Sequence, residues 1–231
     1  MHDLSQERTL STSIGDFPLN EYCLNENGRE WRVLHVGAII SHDEEAEYLL
    51  SPKEMLPYGV TLWASSIALA HDLATRKDLR GKNVLELGAG TGLPGIVAAS
   101  GGARLVQTDN NKVALTLARR NLDRSELKSV EQRAVDWVNW NDTDRYDLIL
   151  GSDILYSKEM QPHLRRIFES NLAAGGRVLL SDPFRATAIN FFETLERNGW
   201  SIKISKWSVG GESSRRPIGV FELAPPDPGS S

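Results

Sequence analysis

Residues Gly81 to Gly102, GKNVLELGAGTGLPGIVAASGG, decide how this chain is read. Asn83-Val84-Leu85-Glu86-Leu87 is a short apolar run of the kind that forms a buried strand. Gly88-Ala89-Gly90-Thr91-Gly92 follows at once, and Leu93 to Ser100 is helical, with Pro94 tolerated in the first turn. Glycines let the backbone turn sharply and approach a ligand closely, and a helix start offers free N–H donors. Strand, glycine loop and helix start together make a nucleotide-type cofactor site.

Gly90-x-Gly92-x-x-Gly95 satisfies the dinucleotide pattern, and Asp109 lies at a suitable distance to take a ribose hydroxyl. Glu86, at the end of the strand, points the other way. A carboxylate facing the cofactor there would repel a pyrophosphate and attract a sulfonium ligand that carries an ammonium group. The expected cofactor is S-adenosylmethionine (SAM) rather than NAD.

Outside this stretch the chain is that of a soluble globular protein. Its 231 residues suffice for one well-packed domain with an extension. No apolar run has the length of a membrane span, and the polar start MHDLSQERTLSTSIGD has no signal-peptide core. Cys23 is the only cysteine, so an internal disulfide is excluded and a reducing, cytoplasmic setting is expected. The net charge of -5 argues against a nucleic-acid partner. The arginine pairs 119/120, 165/166 and 215/216 are read as solvated faces. The five histidines show no metal-ligand spacing, so no metal is expected. The expected state is a monomer.

In chain order, residues 1 to 16 are read as a flexible arm. Phe17 to Val36 holds two strands joined at Asn27-Gly28. The acidic run Ser41 to Glu47 is a solvated loop, or else an acidic lip that attracts a basic substrate. A turn at Leu56-Pro57-Tyr58-Gly59 leads into a helix over Val60 to Ala74, with Trp63 either in the core or walling the cofactor pocket. Strands follow at 104–108, 130–135, 146–151 and 177–181, with closing strands at 201–207 and 218–223. Helices lie at 111–122, 158–172 and 186–198, the second capped by Ala174-Gly175-Gly176. The fold class is α/β: a Rossmann-like, seven-stranded, mostly parallel sheet with helices on both faces, plus a small N-terminal β extension. Three parts are expected: 1–55 as arm and hairpin extension, 56–223 as the SAM-binding domain, and 224–231 as a loose tail. Glu86, Asp109, Asp136 and Asp153 all stand at strand carboxyl ends, where ligands bind in such sheets.

The residues that carry a family resemblance are Leu62-Trp63-Ala64, the run Val84 to Leu93, Asp109, Asp136-Trp137, and Tyr146 to Tyr156 (YDLILGSDILY). From about Gly59 to Leu223 the chain resembles a seven-β-strand SAM-dependent methyltransferase. It is similar, more narrowly, to the methyltransferase-like group that includes many protein-lysine methyltransferases (lysine methyltransferase, family 16). The resemblance implies that Gly88, Ala89, Gly90, Thr91 and Gly92 pass under the methionine part of SAM and that Asp109 binds the ribose. It places Asn110 near the adenine, with Asp136 and Trp137 flanking it, and Trp63 and Ser152 completing the pocket. Asp153 and Tyr156 face the methyl group and the nucleophile as catalytic residues. Asp182-Pro183-Phe184-Arg185 resembles the branch acting on an electron-transfer flavoprotein, and the Asp153 word the branch acting on chaperones and translation factors, so the protein substrate stays open.

A lysine nucleophile must lose a proton before it attacks, and Asp153 could orient the amine and balance its charge. The structural alternative is that Asp153 caps the following helix while Tyr156 packs on it. Three other functions remain open. A SAM enzyme acting on a small molecule would have a lidded pocket. A nucleic-acid base methylase would carry a proline-rich word where Ser152-Asp153-Ile154-Leu155 stands. A non-enzymatic SAM-binding module would keep the loop without chemistry.

Overall fold

The strands alternate in burial because successive side chains leave a sheet on opposite faces, and here the two faces feed two separate cores. Val84, Leu148, Leu150, Leu179 and Val220 join one core, while Leu85, Leu87, Ile149, Leu180 and Phe221 join the other. A sheet apolar on both faces needs helices on both. In the computed structural model, residues 8–13, 15–50, 58–127, 129–211 and 215–226 are described.

Among these, the amino-terminal part contains β1 (Thr9–Thr12), β2 (Gly15–Pro18), β3 (Asn20–Glu26), β4 (Arg29–His35) and β5 (Gly37–Ile39), followed by α1 (His42–Leu50). A 3-10 turn (Tyr58–Val60), β6 (Thr61–Trp63) and α2 (Ala64–Thr75) lead to β7 (Asn83–Leu87) and α3 (Leu93–Ser100). Then come β8 (Arg104–Asp109), α4 (Lys112–Arg124), β9 (Glu131–Ala134) and β10 (Tyr146–Ser152). The chain closes with α5 (Gln161–Asn171), β11 (Leu172–Asp182), α6 (Ala186–Arg197), β12 (Ser201–Val209) and β13 (Arg216–Ala224).

The central sheet has seven strands in the order β12-β13-β11-β10-β7-β8-β9. All neighbouring pairs from β11 to β9 are parallel, and β13 runs antiparallel to both β11 and β12. Helices α2 and α3 cover one face; α5 and α6 cover the other through Leu164, Ile167, Phe168, Phe191 and Phe192. Strand order reverses between β7 and β10, which places the ligand crevice at their carboxyl ends.

The structure departs from the sequence reading in several places. Residues 9–12 and 15–16 of the expected arm are not loose, since 9–12 pair antiparallel with 15–18; residues 1–7 and 14 lie outside the described set. The acidic run is the start of helix α1, not a loop: Glu44 accepts from the amides of Ile40 and Ser41 at 2.8 Å each, and Ser41 Oγ accepts from the Glu44 amide, a reciprocal cap. Helix α2 starts at Ala64, because Thr61–Trp63 pair in parallel with β5. Ala174-Gly175-Gly176 caps no helix. Helix α5 ends at Asn171 and β11 begins at Leu172, with Gly175 (φ 74) inside a bulge. There β10 advances from Tyr146 to Leu148 while β11 advances from Leu172 to Arg177. Arg216, read as a solvated residue, is 4% exposed. The Leu56-Pro57 part of the expected turn and the tail from 227 lie outside the described residues.

Hairpin β3–β4 turns at Asn27 and Gly28, both with positive φ as a two-residue turn of this type requires. It packs against the rest of the molecule through Leu24, Trp31 and Val33. Asn121 of α4 completes the join: its side chain exchanges hydrogen bonds with both backbone groups of Leu34 (2.8 and 3.0 Å) and donates to the Thr91 carbonyl (2.9 Å). One buried amide thus ties the hairpin to the glycine loop.

Candidate active site

The glycine loop leaves β7 at the point where the sheet order reverses. Gly88, Gly90 and Gly92 have φ of 66, 55 and 80, a region closed to most side chains. The Ala89 amide donates to the Thr108 carbonyl (3.0 Å), and the Gly90 amide donates to Asp109 Oδ2 (3.0 Å). Asp109 Oδ1 accepts from the Asn111 amide (2.8 Å). Burial raises the Asp109 carboxyl while these amides pull it down, and the net shift is upward. Asn111 in turn caps α4 by accepting from the Val113 amide (2.9 Å).

Glu86 corrects the sequence argument. It is 2% exposed and does not face the crevice. Alternation along β7 puts it on the side of Val84, beneath α3. There Oε1 accepts from the Gly95 amide (2.9 Å) and Oε2 from Gln107 Nε2 (2.7 Å). A Cβ on Gly95 would stand 2.3 Å from Oε2, so the third glycine of the pattern makes room for this carboxylate. Burial pushes the Glu86 carboxyl up to about 7, against the pull of its two donors. Its charge is spent inside the protein, and the electrostatic argument for SAM over NAD does not hold.

The walls of the crevice come from distant segments. The Trp137 ring and Ile154 lie over Gly88: a Cβ there would be 3.1 Å from Ile154 Cγ2 and 3.5 Å from the indole. Trp137 is carried by a 3-10 turn, Trp137–Asn139, whose N-cap is Asp136, accepting from the Val138 amide (2.9 Å). The carbonyl of Gly59 stands 3.5 Å from a Cβ built on Gly90, so the Tyr58–Val60 turn borders the loop. Trp63 is half-buried; its Nε1 donates to the Tyr58 carbonyl (3.4 Å), and Tyr48 of α1 meets it edge-on at 5.3 Å. Asn110 is exposed and Ser152 half-buried.

Asp153 follows β10 with φ 60, its amide donating to the Ser181 carbonyl (2.9 Å). It does not cap a helix, since α5 begins eight residues later with Met160 at its N-cap. Its carboxylate pairs with Arg185 Nη1, and the same guanidinium reaches Asp182 Oδ2 (3.3 Å) and Glu45 Oε1 (2.6 Å). Burial pushes the Asp153 carboxyl up, with Arg185 as the main opposing influence. Tyr156 is 64% exposed, and its phenol is within electrostatic range of Asp109, Asp153 and Tyr58.

Of the residues named from the sequence, the structure brings the loop, Asp109, Trp137 and Asp153 to the carboxyl ends of β7, β8 and β10 and the segment after β9. Sequence reasoning missed Gln107, Asn121, Glu45 and the pairing role of Arg185. Gln107 and Asn121 left one signal, a polar residue at a core phase of a strand or helix. Glu45 and Arg185 left none, because their pairing joins segments 140 residues apart.

Comparison with known proteins settles the class. The lysine methyltransferase family matches residues 49–198. This chain belongs to that family. It is a SAM-dependent methyltransferase, an enzyme of the seven-stranded α/β type. Protein N-lysine methyltransferase METTL21A of Danio rerio is 33% identical over 70% of this chain and 81% of its own length. Histone-arginine methyltransferase METTL23 of Mus musculus is 30% identical over 67% of this chain, which spans 57% of that relative's length. Among solved structures, the ribosomal protein L11 methylase of Lactobacillus delbrueckii subsp. bulgaricus superposes with a TM-score of 0.57 at 18% identity, covering 84% of this chain and 95% of that one. The N-methyltransferase NodS of Bradyrhizobium japonicum, solved with S-adenosylhomocysteine, gives 0.56 at 19% identity, covering 70% and 88%. At these identities the structures show the fold. The loop suits the cofactor: Gly88 and Gly90, at positive φ, put no side chain between the loop backbone and Ile154, Trp137 and the Gly59 carbonyl, and Asp109 keeps lone pairs beyond the bonds it accepts from backbone amides.

Proposed function

We propose that the enzyme methylates a lysine amine of a protein substrate. The observation that carries this reading is a carboxylate, Asp153, at the carboxyl end of β10, adjacent in sequence to the Ile154 that lies over Gly88. A carboxylate so placed suits a nucleophile that arrives, and leaves, as a cation. Names of relatives agree in acting on protein nitrogen: lysine in METTL21A, arginine in METTL23, and histidine in the histidine protein methyltransferase 1 homolog of Dictyostelium discoideum, 31% identical over 60% of this chain.

SAM, when bound, supplies an electrophilic methyl group. Gly88, Ala89, Gly90, Thr91 and Gly92 would cradle it, Asp109 would hold the ribose diol, and Asn110, Asp136 and Trp137 would border the adenine. Trp63 and Ser152 would close the pocket. A free lysine is neutral in on the order of one molecule in a thousand at pH 7. Burial beside apolar walls lowers its pKa. Asp153 accepts a hydrogen bond from the amine, orients it, and balances the charge that ends on nitrogen. Tyr156 guides the approach from the open side. We place the methyltransferase domain at 56–223, with the hairpins as an amino-terminal extension. A free thiol at Cys23 accords with a reducing cytoplasm, and the charge of -5 with a protein rather than a nucleic-acid substrate. The proposed state is a monomer.

The test is incubation with methyl-labelled SAM and proteins from the source cells, followed by hydrolysis and identification of the labelled residue. Methyl-lysine is expected. Asp153→Asn should keep SAM affinity within a few-fold while lowering turnover by about a hundredfold or more. Label on arginine, histidine, nucleic acid or a metabolite, or normal turnover by the variant, would refute the proposal.

A further inference from the structure

Asp153 is one member of a buried group of five charges drawn from four parts of the chain. Glu45 comes from α1, Asp153 from the end of β10, Asp182 and Arg185 from the junction of β11 and α6, and Arg216 from the start of β13. Their side chains are 13%, 11%, 0%, 24% and 5% exposed. Arg185 is the hub. Its guanidinium meets all three carboxylates, and its amide donates to Asp182 Oδ1 (2.7 Å). Arg216 pairs with the second oxygen of Glu45. Two non-glycine residues beside this group, Asp153 and Phe184, have φ of 60 and 64, a strained backbone kept only where surrounding contacts impose it.

We propose that Arg185 is a positioning residue which, anchored by Glu45, fixes the orientation and the charge of the Asp153 carboxylate. The proposal rests on the reading of Asp153 given above. A carboxylate so little exposed takes up a proton unless a cation is paired with it, and a protonated Asp153 could not balance a cationic nitrogen. Burial raises Asp153, and Arg185 is the largest influence against it; Arg216 helps, while Glu45 works the other way. Asp182, pushed up to about 6 by burial, is held down by the same arginine. The exposed Tyr156 phenol is within electrostatic range of Asp153. When all are ionised, three carboxylates share two guanidiniums. The group carries one negative charge to spare, and a cationic substrate nitrogen would complete it.

The test uses the full chain with carbon-13 in its aspartate carboxyl groups, titrated by NMR, with the Asp153 signal identified by its loss in Asp153→Asn. Arg185→Gln should raise the Asp153 midpoint by about one pH unit or more, and Arg185→Lys should restore most of it. On the labelled substrate found above, Arg185→Gln should lower turnover by about a hundredfold with SAM affinity within a few-fold, and Arg185→Lys by less. Glu45→Gln should lower turnover by roughly tenfold without changing SAM affinity; it carries the test if Arg185→Gln does not fold. An inactive Asp153→Asn beside an unmoved midpoint in Arg185→Gln, or undiminished turnover in Glu45→Gln, overturns the role of Arg185 alone. Faster turnover in Arg185→Gln would show instead that Arg185 competes with the substrate. Normal turnover in Asp153→Asn overturns the underlying reading, and this inference with it.

Discussion

Replacing Glu86 by glutamine should change how stability depends on pH. In the folded protein the Glu86 carboxyl is raised from 4.5 to about 7 by burial, with the nearby Asp109 charge adding to it. The unfolded chain keeps the ordinary value. Below about 4.5 both states hold the proton, and this group's stabilising contribution is fully present. As pH rises, the unfolded chain ionises first, and the contribution is lost until the folded carboxyl also titrates near 7. At ~1.4 kcal/mol per pH unit, that interval amounts to about 3 kcal/mol. The amide in Glu86→Gln cannot titrate, so the unfolding free energy of wild type minus that of the variant should fall by about 3 kcal/mol between pH 4 and pH 8. Urea titrations of both proteins across this range measure it, and the other buried carboxylates largely cancel in the difference. A flat difference would refute the reasoning. A rise instead of a fall would mean that the donors Gly95 N–H and Gln107 Nε2 outweigh burial and hold Glu86 ionised.

Two further outcomes follow from the loop. Gly95→Ala places a Cβ 2.3 Å from Glu86 Oε2 and 2.7 Å from Gln107 Nε2; crowding and the strained hydrogen bond together should lower unfolding free energy by about 3 kcal/mol, and a midpoint unchanged in urea would show that the site relaxes freely. Asp109→Ala should weaken SAM by about 1.5–3 kcal/mol in calorimetry while leaving the protein folded, and unchanged affinity would remove Asp109 from the ribose.

Local pattern made much of the fold legible. The apolar runs, the Gly88-to-Gly92 loop and the strand-helix alternation name their own elements, because period and turn chemistry act over a few residues. The boundaries that failed are those where a distant partner overrides local preference. Thr61–Trp63 became a strand only because β5 lies beside it. Leu172 opens β11 rather than closing α5 because Tyr146 stands opposite. The acidic run is helical through a reciprocal cap that the sequence SHDEEAE does contain, and a reading of its charge alone passes over it.

The sequence by itself determined the class of the protein: a glycine loop after a buried strand, acids at strand ends, and the SDILY word after the fourth strand of the sheet. These are short-range features, and each residue carries its meaning in its own neighbourhood. Only the tertiary structure decided how each of these acids is buried and partnered. Glu86 turned inward because its strand phase points at α3 and Gly95 leaves room. Asp109 stayed at the crevice, tied to two amides. Asp153 met an arginine at the N-cap of α6 that is itself held by a glutamate from α1. Charge is a property of a residue type, but its availability depends on burial and on which opposite charge the fold brings within reach, and neither is written in any one stretch of the chain.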